Sequence, residues 1–222
     1  MRHLLLSVLI AGFGLFTAQV QANEPFQAGK HYVELRNPVP VTSPGKIEVA
    51  EVFWYGCPAC SNFEPILNAW EEKLPEDVNL VRIPAQFDQL WGTHARLYYT
   101  LEVLKVEAKV HQAVFEAIHS SKDARVAGQR NGRKVSPPTA ESLASFIAEQ
   151  GVDKKDFLKT FNSFAVNNRL KKAGKAVIDY QISGVPSLVV NGKYRVDVHD
   201  AGGPIQALAV IDHLIGKERA AQ

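Results

Sequence analysis

The sequence predicts an α/β fold interrupted by an inserted α-helical domain. Three observations carry that prediction. Apolar, β-like runs lie toward both ends of the chain, at Ile47 to Trp54, Val78 to Ile83 and Ser187 to Val190. Helical apolar spacing fills the stretch from Trp91 to Tyr180 between them. Asn191-Gly192 then marks a tight turn between two short strands, because both positions of such a turn want positive φ. Residues 23–90 and 176–222 are therefore expected to form the two parts of one discontinuous α/β domain, with residues 91–175 inserted between them.

Element by element, the chain opens with Met1-Arg2-His3, an uncharged apolar stretch from Leu4 to Phe16, and small residues near Val20-Gln21-Ala22. This pattern predicts a secretory signal peptide over residues 1–22, cleaved after Ala22. Its apolar core is too short for a membrane span, and no later stretch is long and apolar enough, so a soluble mature protein is expected. No Cys follows the cleavage site to carry a lipid, and Ala220-Ala221-Gln222 is not a retention signal. The bacterial periplasm is the expected destination, although a cell-surface or secreted address fits the same features.

His31 to Leu35 and Ile47 to Trp54 read as strands, separated by Pro38, Pro40 and Ser43-Pro44-Gly45. A helix is predicted from Cys57, with Pro58 suited to its first turn, where a missing N–H has no intrahelical partner to lose. Phe63, Leu67, Trp70 and Leu74 continue it as a core stripe, and Pro65 should kink it. After the strand at Val78 to Ile83, helices are expected along Leu97, Leu101 and Leu104, along Val110, Val114 and Ile118, along Leu143, Phe146 and Ile147, and along Phe157, Phe161 and Phe164 behind a cap at Asp153. Ser187 to Val190 and Lys193 to Val198 form the terminal hairpin, and Pro204 to Ile215 a closing helix.

Composition narrows the function. The chain carries 25 Lys and Arg against 23 Asp and Glu, and loses one of those basic residues, Arg2, with the leader. Such balance argues against a nucleic-acid partner, which favours a concentrated basic face. The local excess at Lys122, Arg125, Arg130, Arg133 and Lys134 reads as a solvated loop. There are only two cysteines, Cys57 and Cys60, enclosing Pro58-Ala59 at the mouth of a strand and the start of a helix. Tetrahedral zinc needs about four ligands, and no second Cys pair or close Cys/His set is present. A structural disulfide is the remaining alternative, but so short a loop stabilises weakly, and a chain long enough to bury its own core has little need of it. The pair is read as reactive. His94, His111 and His119 read as core or surface residues rather than metal ligands, and no metal or cofactor is expected.

Phe53-Trp54-Tyr55-Gly56-Cys57-Pro58-Ala59-Cys60 resembles the active-site segment of the thioredoxin superfamily, and Pro65 its helix-kinking proline. Gly184-Val185-Pro186 before Val189-Val190-Asn191-Gly192-Lys193-Tyr194 resembles the cis-proline segment and hairpin of the DsbA-type periplasmic thiol:disulfide oxidoreductases. The signal peptide, the helical insertion and Val166-Asn167-Asn168-Arg169-Leu170 extend the resemblance over nearly the whole chain. One departure stands out: best-known members carry Pro-His where this chain has Pro58-Ala59, so an imidazole able to stabilise the thiolate is missing. The resemblance implies a thioredoxin fold with an inserted helical domain and a cis bond at Pro186. It also implies a buried acid at Glu51, exported client proteins with free thiols, and reoxidation by a DsbB-like quinone-linked membrane protein.

Beside that resemblance the residues carry their own chemistry. Disulfide exchange needs one exposed, acidified thiol and one resolving thiol. Cys57 sits where unpaired helix N–H groups and the positive end of the helix dipole favour an anion, whereas Cys60 lies one turn inside. Period-two alternation puts Glu51 in a strand apolar on both faces, where ionisation is costly and a proton relay to Cys60 is open to it. The alternative is a strand-end Glu paired with a Lys or with water. Val185 beside Pro186 would offer main-chain groups to an extended client; an ordinary strand-initiating proline is the plainer reading of Pro186. The expected protein is a monomeric thiol:disulfide oxidoreductase. A disulfide isomerase or reductase, or a non-catalytic binding module with a structural disulfide, are its rivals, and the short span between Ala22 and the first strand leaves no room for an isomerase's dimerisation module.

Overall fold

In chain order, the described residues, 25–221 of a computed structural model, form β1 (Val33–Glu34), β2 (Ile47–Phe53), α1 (Pro58–Glu71), β3 (Val78–Pro84), α2 (Gln89–Val103), α3 (Glu107–His119), α4 (Ala124–Ala127), β4 (Gln129–Asn131), β5 (Lys134–Ser136), α5 (Ala140–Glu149), α6 (Lys154–Phe161), α7 (Phe164–Asp179), β6 (Ser187–Val190), β7 (Tyr194–Asp197) and α8 (Pro204–Ala220). The predicted signal peptide and its cleavage site lie outside the described residues.

The main sheet has the order β1-β7-β6-β2-β3. β2 is flanked on both sides, parallel to β3 from Ile47↔Val78 onward and antiparallel to β6 through Val49↔Val190 and Val52↔Ser187. All seven residues of β2 are buried, as a strand covered on both faces requires. On one face Ile47 and Val49 pack with Phe63 and Leu67 of α1 and with Leu208, Ile211 and Leu214 of α8. On the other, Ala50 and Val52 meet Val177 and Tyr180 at the end of α7. From the last residue of β2 onward, Phe53, Tyr55 and Cys60 join a third cluster with Leu97, Leu101, Val114, Phe115, Leu143 and Phe157 of the helical segment. The helices are thus packed directly onto the end of the sheet where the cysteines lie, and α7 runs through position 175. Burial of each such large apolar side chain contributes roughly 1.5–3 kcal/mol.

Several expected boundaries move, each for a physical reason. The first strand keeps only Val33–Glu34, because it is an edge strand with a partner, β7, on one side alone. Asp88 caps α2 by accepting from the Trp91 N–H at 3.0 Å, so that helix starts at Gln89 rather than Trp91. Asn191 and Gly192 both have positive φ, but the ladder begins at Val190↔Tyr194, so the loop is one residue longer than a two-residue turn. A side chain at Gly192 would stand 1.9 Å from the Val39 carbonyl oxygen, which makes glycine obligatory there. α8 continues past Ile215 to Ala220, since buried Glu218 is held by Asn191 Nδ2 at 2.6 Å and Lys193 Nζ at 2.7 Å. Within the helical segment, β4 and β5 form an exposed hairpin that the sequence reading missed, although Asn131-Gly132 repeats the turn signal of Asn191-Gly192.

Candidate active site

Cys57 is the N-cap of α1, and Pro58 occupies the first turn. Its extended backbone (φ −85°, ψ 116°) turns the side chain back over the helix end, where Sγ accepts from the Cys60 N–H at 3.4 Å. The two cysteines are unbonded: Cys57 is half-buried and Cys60 is 0 % exposed. A hydrogen bond from the Cys60 thiol is the largest influence on Cys57. Joined by the Cys60 and Ala59 N–H groups, it outweighs burial and lowers the Cys57 thiol to about 6. Ala59 thus contributes an amide and nothing more. Cys60 moves the opposite way, pushed far up by burial first, then by its bond to Cys57, the Cys57 charge and Glu51. At neutral pH the reduced pair therefore holds one thiolate, outside, and one thiol, inside.

The strand after the helical segment completes the surface. The Cys57 thiol lies 3.6 Å from the Val185 carbonyl oxygen, across 128 positions of sequence, and the Val185–Pro186 peptide is cis. Pro186 itself is buried, and Val185 is half-buried. Ser187 Oγ donates to the Gly184 carbonyl at 2.9 Å, fixing the bend that presents Val185.

Behind the cysteines is a buried ionic cluster. Glu51 is 0 % exposed, and neither of its carboxylate oxygens has a hydrogen-bond partner. Arg82, its neighbour in the β2–β3 register, brings Nε to 3.5 Å without bonding. The guanidinium is occupied elsewhere: Nη2 donates to Glu64 Oε1 at 3.2 Å, Asn68 Oδ1 at 2.7 Å and Glu71 Oε2 at 2.8 Å. Burial and the charge of Glu64 raise Glu51 well above the usual carboxylate range, and Arg82 offsets this only in part. Burial opposes ionisation of Glu64 too, but His111 and Arg82 together hold it low. Glu51 is thus closed off from bulk solvent, and the cation nearest to it is Arg82 rather than a Lys. Arg82 and Glu64 escaped the sequence reading. Each had a signal: Arg82 falls opposite Glu51 once the two strands are aligned, and Glu64 is one helical turn beyond Cys60.

The family model of the DSBA-like thioredoxin domain matches residues 48–206. The chain belongs to that DsbA-like family. Members named thiol:disulfide interchange protein DsbA include one from Pseudomonas aeruginosa, 50% identical over 221 residues and covering 100% of this chain and 99% of the relative. Another, from Azotobacter vinelandii, is 50% identical over 226 residues with 100% of both covered. The solved structure of Pseudomonas aeruginosa DsbA matches with a TM-score of 0.80 and 52% identity, over 88% of this chain and 96% of that one. DsbA from Xylella fastidiosa gives 0.78 and 35% over 87% and 98%. The DsbA-like fold, a thioredoxin fold with an inserted helical domain, is therefore that of this chain. Of the residues singled out from sequence, the DsbA-like architecture brings Cys57, Pro58, Ala59, Cys60, Val185 and Pro186 to one end of the sheet, with Glu51 inside it.

Proposed function

We propose that the chain is a protein disulfide oxidoreductase that introduces disulfide bonds into exported proteins by exchange with its Cys57–Cys60 disulfide, through a mixed disulfide at Cys57. The observation that carries this reading is the split of one pair into an acidic, accessible Cys57 and a buried, protonated Cys60. Thiol:disulfide interchange is also the activity named in relatives that are 50% identical over the whole length.

In the reaction, a client thiolate attacks Cys57 Sγ of the oxidised pair; the S–S bond breaks and Cys60 leaves with the electron pair. Cys60 then takes a proton, for which a protonated Glu51 is the donor inside the core. A second client thiolate attacks the client sulfur of the mixed disulfide and releases Cys57 as thiolate. Glu51 recovers its proton from those the client releases, so over the cycle the client loses two electrons and two protons, the enzyme gains two electrons and one proton, and the other proton goes to solvent. Stabilising the leaving thiolate favours the reduced enzyme and so makes its disulfide oxidising. Val185 offers its main chain to an extended client segment beside Cys57, with Pro186 shaping that platform. Clients are unfolded or partly folded proteins with free thiols in the bacterial periplasm, reached after cleavage behind Ala22. Reoxidation passes the two electrons to a DsbB-like quinone-linked membrane oxidase. Residues 23–90 and 176–222 form the thioredoxin-like part and residues 91–175 the helical insertion of a monomer.

Measuring the midpoint potential against glutathione over a range of pH tests the reading. Above pH 6 reduction takes up one proton, so the potential should fall by about 30 mV per pH unit; below pH 6 it takes up two and the slope should be about 59 mV. A potential as reducing as about −270 mV, or a bond inert to glutathione, would sink the oxidase assignment. The role of Glu51 has its own measurement. Glu51→Gln should change the pH dependence of the rate at which Cys60 resolves a mixed disulfide between Cys57 and glutathione, and an unaltered profile removes Glu51 from the proton path.

A further inference from the structure

Three of the seven histidines converge on the two residues that precede Gly56-Cys57, and all three come from the helical segment. His94 of α2, 1 % exposed, accepts at Nδ1 from the Trp54 indole N–H at 3.0 Å and places Nε2 2.9 Å from the Val126 carbonyl. An indole nitrogen only donates, so Nδ1 must be bare and Nε2 must carry the proton. Burial agrees, lowering His94 to about 4 and keeping it neutral. His111 of α3 pairs Nδ1 with the Tyr55 hydroxyl at 2.7 Å in the core. Two turns further along α3, His119 donates from Nε2 to the Tyr55 carbonyl at 2.8 Å.

These bonds act on a segment with little freedom left. The Trp54 ring is stacked on Trp91 with centroids 4.0 Å apart, and lies so close over Gly56 that a β-carbon there would be 2.3 Å from it. The Trp54 carbonyl accepts from the Cys57 N–H at 3.0 Å, so the held segment runs directly into the N-cap. We propose that His94, His111 and His119 are positioning residues, a clamp by which the helical insertion fixes the Trp54–Tyr55 segment and so the aim of Cys57 Sγ at its hydrogen-bond donors. This deepens the oxidoreductase reading and rests on it. It also gives the insertion a task in the chemistry: the imidazoles hold the backbone under the reactive sulfur from outside the Cys57–Cys60 loop, where Ala59 supplies no side chain for the purpose.

The test uses the reduced full-length protein and the 240 nm absorbance of the thiolate as a function of pH, with thermal unfolding as a check on folding. The groups facing Cys57 are the Cys60 thiol and N–H, the Ala59 N–H and the Val185 carbonyl, and the His119 variants leave these and the buried Glu51, Glu64 and Arg82 in place. Tyr55→Phe also releases His111, which lies 3.3 Å from Glu64 and 3.5 Å from Glu107, so the His119 variants are the primary readout. His119 is half-buried at the end of α3, so its variants should fold. His119→Leu, which cannot donate, should raise the titration midpoint of Cys57 by about 0.5–1 pH unit, the size expected for partial loss of one hydrogen bond. His119→Gln, which restores an N–H donor, should titrate like the parent. Tyr55→Phe, which keeps the ring and loses the bond to His111, should move the midpoint the same way. An unchanged midpoint in both His119→Leu and Tyr55→Phe overturns the clamp, as do equal shifts in His119→Leu and His119→Gln, which would point to imidazole charge instead. Because no client is involved, these outcomes are independent of whether the disulfide oxidises one.

Discussion

Cys60→Ala should convert the chain into a covalent trap. Its Cys57 keeps the helix N-terminus and the Ala59 and Cys60-position amides, so it still attacks a disulfide-bonded client, but the resolving thiol is gone and the mixed disulfide has no internal exit. Adducts should accumulate on non-reducing gels, with mass spectrometry placing the bond at residue 57. Catalysed exchange should fall below about a thousandth of the parent rate, the usual order when the nucleophile or its partner in a coupled pair is removed. The Cys60 thiol also makes the largest contribution to the acidity of Cys57, so the trap should attack more slowly at pH 6 than the parent dithiol. Cys57→Ala should form no adducts, since Cys60 is fully buried. Adducts formed through Cys60 in that variant would refute the assignment of roles.

Glu51→Leu should make the protein more stable at neutral pH, by about 1–3 kcal/mol, because it removes a buried carboxyl with no hydrogen bond from the middle of β2. Arg82 is not stranded by the change, since Glu64, Asn68 and Glu71 still accept from it. The sign of the pH dependence follows from the raised folded-state value. Above about pH 4.3 the unfolded chain releases the Glu51 proton while the folded chain retains it, so the parent loses stability as pH rises. The advantage of leucine should therefore be smallest near pH 4 and larger at pH 7, as read from urea unfolding at the two values. A variant less stable than the parent at pH 7 would mean that Glu51 is ionised and paired with Arg82. If the gain is found, it measures what the protein forgoes to keep an acid beside Cys60.

Much of this was legible in the sequence because it is local. Pro58 behind Cys57, the alternation of β2, the Asp153 cap and Asn191-Gly192 each act through backbone geometry within a few residues, and the corresponding elements appear where those signals stand. Interactions between elements were harder to see. That Glu51 lies against Arg82 depends on the parallel register of two strands, and that three separated histidines meet Trp54 and Tyr55 depends on how α2 and α3 pack on the sheet end. Apolar periodicity assigns a histidine on a buried stripe to the core, which is where His94 and His111 are, but it does not say which polar atom each one satisfies. The β4–β5 hairpin was hidden for the opposite reason, since strands this short and exposed carry almost no hydrophobic pattern.

The 128 positions between Cys57 and Val185 also set an order of events in the making of the protein. Cys57 and Cys60 both emerge early, whereas the helical segment, β6 and the Val185 platform are synthesised only afterwards. A partly made chain thus holds a reactive thiol before it has a place to seat a client, and for that interval its own cysteines are the natural partners within it. With two cysteines in the chain, only one internal disulfide can form, and it is the functional one. An agent that pairs the cysteines of other proteins is in this way immune to mispairing its own.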